Sequence, residues 1–194
     1  MTASSYGIVV EGPYDVAIFP ELIRRVLSRD VPIISRPCFG KDNLKKDLLT
    51  HLRNLQDEMH GRGVEKALVI RDSDGKERKN IEAELARIIK RRAWTFAHGV
   101  HVCVIRREVE TWLLADAAAV SALAEARGGR PVPEVQGMLE DIFEPKQRFK
   151  RLLSDASLDY TELVCTEIAR RLRLETLRYR CPSFCTFEQR VLDC

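Results

Sequence analysis

Long apolar runs are missing from this sequence. Stretches such as Ala67 to Ile70 and Val100 to Ile105 fall far short of the roughly 20 residues a membrane-spanning helix needs, so no membrane partner is expected. Glycine and proline are sparse, at ten and eight residues, and no glycine period, low-complexity tract or internal repeat occurs. Collagen-like, disordered and solenoid architectures are thereby excluded. Excess charge is also missing: 32 Lys and Arg oppose 29 Asp and Glu for a formal +3, so anion binding has to come from local clusters. Of six cysteines only Cys181 and Cys185 lie close together, with no second Cys/His pair at zinc spacing. They read as reduced, mostly buried thiols. His51, His60, His98 and His101 do not fall at metal-ligand spacing either. Gly40-Lys41 lacks the glycine spacing of a Walker loop, so any ATPase function belongs to another chain. Met1 to Tyr6 is polar and runs into a strand-like segment ending in an acid, unlike a secretory signal, so a cytoplasmic location is the default expectation.

What remains is 194 residues, 45% apolar and 31% charged, enough for one sizeable core with a small appended lobe. Tyr6 to Val10 is a short β-branched run that stops at Glu11-Gly12-Pro13 and predicts a buried parallel strand. Val16, Phe19, Leu22, Ile23, Val26 and Leu27 then recur at helical spacing, with Pro20 expected in the first turn or at a kink. Val31 to Ser35 predicts a second strand, and Leu44, Leu48, Leu52 and Leu55 a second helix ended by Gly61 and Gly63. Lys66 to Ile70, Ile81 to Ile89 and Val100 to Ile105 repeat the strand, helix, strand alternation. Parallel neighbours need a crossover, so the expected fold is α/β, with a mostly parallel four-stranded Rossmann-like sheet flanked by helices. That unit covers residues 1–116. Residues 117–194 are expected to form a helical extension packed on it, with helices at Ala117 to Arg127, Pro133 to Ile142, Lys146 to Leu153 and Tyr160 to Leu172.

Acidic residues collect where these strands end. Glu11 follows the first strand, Asp72 and Asp74 the third, and Glu108 and Glu110 the fourth, at the sheet edge where open α/β folds place ligands. Asp72 and Asp74 stand two residues apart, so in extended geometry their side chains share a face. Crowded acids repel, and a hard divalent cation with oxygen ligands, Mg²⁺ or Mn²⁺, relieves the repulsion. Strand ends also favour Asp and Glu for turns and caps, which is the plainer reading. A calcium loop starting at Asp72 fails because its last position is Ala83. An aspartyl phosphatase built on Asp72-Ser-Asp74-Gly75 would carry that motif on its first strand and continue with Thr rather than Lys76.

The ordered set Val10-Glu11-Gly12 with Asp15, Arg71-Asp72-Ser-Asp74 and Arg107-Glu108-Val-Glu110 resembles the Toprim domain of topoisomerases, primases and overcoming-lysogenization-defect nucleases. Arg107-Glu-Val-Glu-Thr-Trp-Leu-Leu-Ala-Asp116, Glu144-Pro-Lys146 and Cys181-Pro-Ser-Phe184 resemble the Toprim-like family called domain of unknown function 4276. Nuclease relatives commonly follow the Glu-Gly turn with Thr and Glu, where this chain has Pro13-Tyr14-Asp15. The resemblance implies that Glu11, Asp72 and Asp74 hold the main Mg²⁺ or Mn²⁺ ion, with Asp15, Glu108 and Glu110 assisting or binding a second. It also implies that Lys146 offsets transition-state charge, and that the chemistry is phosphodiester hydrolysis by a Mg-dependent nuclease. Lys41, Lys76, Arg78, Lys79, Arg106 and Arg107 are the candidate nucleic-acid contacts, with DNA ahead of RNA. A prokaryotic defence effector working with a partner ATPase is the implied setting, and a homodimer is compatible with it. Topoisomerase chemistry is disfavoured because Tyr6, Tyr14, Tyr160 and Tyr179 have no evident carrier domain. The alternative is a catalytically inactive Toprim-like module that docks to an ATPase or to nucleic acid.

Overall fold

A computed structural model describes residues 5–57 and 64–193 of the chain. Four parallel strands, β1 (Tyr6–Val10), β2 (Ile33–Pro37), β3 (Lys66–Asp72) and β4 (Val100–Ile105), form one sheet in the order β2-β1-β3-β4. Alternation along each strand sends Tyr6, Ile8, Val10, Leu68, Ile70, Cys103 and Ile105 to one apolar cluster, and Val9, Ala67, Val69 and Val104 to another. Helices cover both faces. α1 (Pro13–Leu27) buries Ile18, Phe19, Leu22 and Ile23 in the first cluster. The leucine stripe of α2 (Lys41–Asp57) and Ile81, Leu85 and Ile89 of α3 (Arg78–Ile89) fill the second. Gly7 allows the close approach of α2, since a Cβ there would meet Leu55 Cδ1 at 2.8 Å.

The helical part contains α4 (Glu110–Leu113), α5 (Ala117–Ala126), a 3-10 turn (Leu139–Asp141), α6 (Pro145–Asp155), α7 (Glu162–Arg171), α8 (Leu174–Arg180) and α9 (Pro182–Leu192). Its packing on the sheet is keyed by Trp112, which meets Phe184 edge-on at 5.2 Å and Phe19 at 6.2 Å and donates from Nε1 to Ser183 Oγ at 3.0 Å. Four thiols, Cys38, Cys103, Cys165 and Cys181, are buried, which pushes each up to about 12, whereas Cys185 is exposed. No helix among the described residues is long and apolar enough to cross a membrane.

Several boundaries differ from the sequence pattern. Strand β2 begins two residues later than expected, and β3 continues through Asp72. Pro20 sits inside α1, which continues past it. The helix expected over Pro133 to Ile142 is reduced to the 3-10 turn, because Pro133 and the left-handed Gly137 (φ 86°) interrupt it. Helices α8 and α9, unmarked in the pattern, complete the core. The expected stop at Gly61 and Gly63 lies outside the described residues.

Candidate functional site

Strand β1 connects outward to β2 and β3 connects the opposite way to β4, so a crevice opens beyond the carboxyl ends of the two central strands. Glu11, Asp15, Asp72, Asp74, Glu108 and Glu110 all line one cavity of about 300 Å³ there, together with Tyr14, Phe39, Gly40 and Lys146. Residues separated by up to 135 positions in the chain thus meet at one end of the sheet.

Each acid is held by its own element. Asp15, in the first turn of α1, accepts the Gly12 N–H at 2.9 Å and so satisfies the backbone donor at the start of the helix. Glu108 accepts the Lys146 N–H at 2.9 Å, placing a carboxylate at the start of α6. Glu110 is buried and accepts the Tyr160 O–H at 2.5 Å, with Lys146 Nζ 3.6 Å from the same oxygen. Tyr160 stacks on Tyr14, ring centroids 4.5 Å apart, and the Lys146 ammonium stands over both rings. Glu11 Oε1 lies 3.4 Å from buried Arg71 Nε without hydrogen-bond geometry, so both atoms are buried and unsatisfied. Asp74 departs from the expectation that it and Asp72 share an extended face. The strand ends at Asp72, Asp74 takes a left-handed backbone (φ 50°), and its carboxylate pairs with Lys41 Nζ at 3.0 Å.

Crowding dominates the electrostatics. Burial pushes the Asp72 carboxyl well above the usual carboxylate range, reinforced by Asp15, Glu110, Glu11 and Glu108. Burial also raises Asp15 to about 7, with Glu110 and Glu11 adding to the shift against the Gly12 hydrogen bond and Lys146. Glu11 is raised by burial and then by Asp74, and Glu108 chiefly by burial. The nearby cations leave this cluster under-neutralised.

The candidate phosphate contacts divide into two settings. Ser73, Gly75, Lys76, Arg78, Arg106 and Arg107, with one acid, Glu77, line a second cavity of about 250 Å³. Arg107 has a left-handed backbone (φ 66°), and its N–H donates to Ser73 Oγ at 2.9 Å, tying the exits of β3 and β4 together. Arg78 approaches Glu82 at 3.6 Å, Arg106 pairs with Asp141 at 2.5 Å, and Lys79 is exposed. Lys41 stands apart, across the acid cavity on α2.

A hard divalent cation fits the donor set: the acids offer only oxygen, their ionisation is suppressed by burial and then by mutual repulsion, and Glu11 Oε1 is an orphaned acceptor. Among the described residues no three His, Cys, Asp or Glu side chains are gathered into a ready-made metal-holding group. Sequence reasoning did not single out Arg71 as the partner of Glu11, Tyr160 as the donor to Glu110, or Phe39 at the cavity mouth. A charged residue inside an apolar strand was the available signal for Arg71, and an aromatic before Gly-Lys at a strand exit the signal for Phe39.

Fold and site together define an all-parallel α/β protein with an acidic cavity at its switch point. The family model described as Domain of unknown function (DUF4276) matches residues 10–192, and the chain belongs to that family. No curated protein and no solved structure matches it.

Proposed function

We propose that the chain is a Mg²⁺- or Mn²⁺-dependent nuclease of Toprim type that hydrolyses phosphodiester bonds, with DNA favoured over RNA. The observation that carries this reading is the set of under-neutralised carboxylates in one cavity, beside a second cavity lined by Lys76, Arg78, Arg106 and Arg107. Glu11, Asp72 and Asp74 would hold the principal ion, with Asp15, Glu108 and Glu110 around it. A bound dication supplies an activated water and charge stabilisation at a phosphodiester. The basic cavity would hold flanking phosphates, so that a negatively charged backbone can approach an acidic centre. Lys146, held over two tyrosine rings, would place a cation at the rim, where negative charge builds up on the phosphoryl oxygens. A cytoplasmic defence effector with an ATPase supplied by a second chain, acting alone or as a homodimer, is the setting we favour.

The test is an Asp72→Asn variant. Replacing a carboxyl whose ionised form is penalised by burial and by its acidic neighbours with a neutral amide should raise the melting temperature of the metal-free protein. The same change should abolish the stabilisation by Mg²⁺ or Mn²⁺ and reduce nicking of supercoiled DNA at least about a hundredfold. Cleavage equal to wild type discards the assigned site.

A second reading, a docking module without catalysis, is favoured by the engagement of Asp15 and Glu108 with helix N-termini. It predicts no change in melting temperature with either ion and partner binding that survives excess chelator.

A further inference from the structure

Phe39 is a large aromatic side chain that the core does not use. It is 73% exposed, although the residues on both sides of it are anchored. The Cys38 N–H donates to Val10 O at 2.9 Å and the Gly40 N–H donates to Glu11 O at 2.9 Å, so the loop is stitched to the end of β1 around the ring. Phe39 has a left-handed backbone (φ 56°), followed by Gly40 at φ 126°. A β-carbon in that conformation is sterically disfavoured, so the loop spends free energy to turn a phenyl ring outward.

The ring stands where two cavities meet. It lines the acid cavity and also a neighbouring one of about 490 Å³ formed with Glu11, Lys41, Asp42, Asn43 and Asp74. Apart from Phe39 and Gly40, that neighbouring wall is charged or amide-bearing. An apolar protein surface would meet unmatched polar groups there. A nucleobase suits it, with a π face for the ring and polar edges for Asn43 and Asp42, while its phosphate lies within reach of the Lys41 side.

We propose that Phe39 is a stacking platform for one unpaired nucleobase at the lip of the acid cavity, which makes single-stranded or locally opened nucleic acid the preferred substrate class. The proposal rests on the nucleic-acid reading given above. A base paired within duplex is stacked on both faces and has none to offer the ring.

Fluorescence anisotropy with a labelled 12-nucleotide strand and with its duplex tests this in Mg²⁺, with every protein carrying Asp72→Asn so that cleavage does not intervene. Adding Phe39→Ala should weaken single-strand binding about tenfold or more and leave duplex binding unchanged, whereas Phe39→Trp should retain it. Equal single-strand affinity with Phe39 and with alanine overturns the proposal. So does equal loss for strand and duplex, or duplex binding without single-strand binding by the protein that retains Phe39. Because no cleavage is read, these outcomes are separate from failure of the nuclease reading. An unaltered melting temperature for Phe39→Ala, expected of an exposed side chain, confirms that folding is not the cause.

Discussion

At the scale of single residues, the raised carboxyl of Asp15 has a direct consequence for stability. Burial raises it to about 7 in the folded chain, against an ordinary value of 3.8. The folded state therefore binds a proton that the unfolded state has released, and the contribution of Asp15 to stability is full below about pH 4 and is lost as pH rises through 7. Asp72, raised in the same direction, extends the decline. Metal-free protein should consequently melt at a higher temperature at pH 5.5 than at pH 7.5, as followed by circular dichroism, and saturating Mg²⁺ should flatten the difference. Glu11, Asp72, Asp74, Glu108 and Glu110 were legible in the sequence because they follow short apolar runs bounded by turn residues, whereas Asp15 was reached only through the family resemblance. The turn that rotates Asp74 toward Lys41 was not, since a left-handed backbone at a non-glycine residue leaves no composition mark. Tyr160 reaches Glu110 from 50 residues away, a pairing that no local pattern encodes.

At the scale of elements, the segments resembling the family turn out to be largely joints. Asp116, which ends the Glu-x-Trp-Leu-Leu-Ala-Asp segment, caps α5 through the Ala119 N–H at 3.3 Å. It also accepts the Arg173 N–H at 2.8 Å and the guanidinium at 2.7 Å, which fastens the entry to α8. Burial works to raise this carboxyl, but the Arg173 hydrogen bonds and charge outweigh it and hold it below the ordinary range. Loss of the two backbone hydrogen bonds in Asp116→Ala should cost about 1–2 kcal/mol, measured as a lower denaturant midpoint, with Asp116→Asn closer to wild type. Strands β1 and β4 were legible as short β-branched apolar runs, and helices α1 to α3 because their apolar residues recur at steps of three to four. Helix α8 was not: its seven residues bury only Leu177, too little for a period. The stretch from Pro133 to Ile142 misled in the other direction, its apolar spacing overridden by proline and glycine chemistry.

At the scale of the whole molecule, one apolar cluster runs from Ile8, Leu68 and Cys103 in the sheet through Trp112 to Phe184, Phe187 and Val191 in α9. The ring contacts of Trp112 join α1, α4 and α9 at a single point. Unfolding should therefore be one cooperative event, with tryptophan fluorescence and far-ultraviolet dichroism giving coincident curves. Trp112→Ala should destabilise the sheet and the helical part together by about 3–5 kcal/mol. The contrast among the thiols offers a practical handle. Four sulfurs are shut inside and resist ionisation, whereas Cys185 faces solvent on α9. With Cys194 changed to serine, a maleimide dye would attach at one defined place, on the helix that closes the core, and report its docking without disturbing the acid cavity.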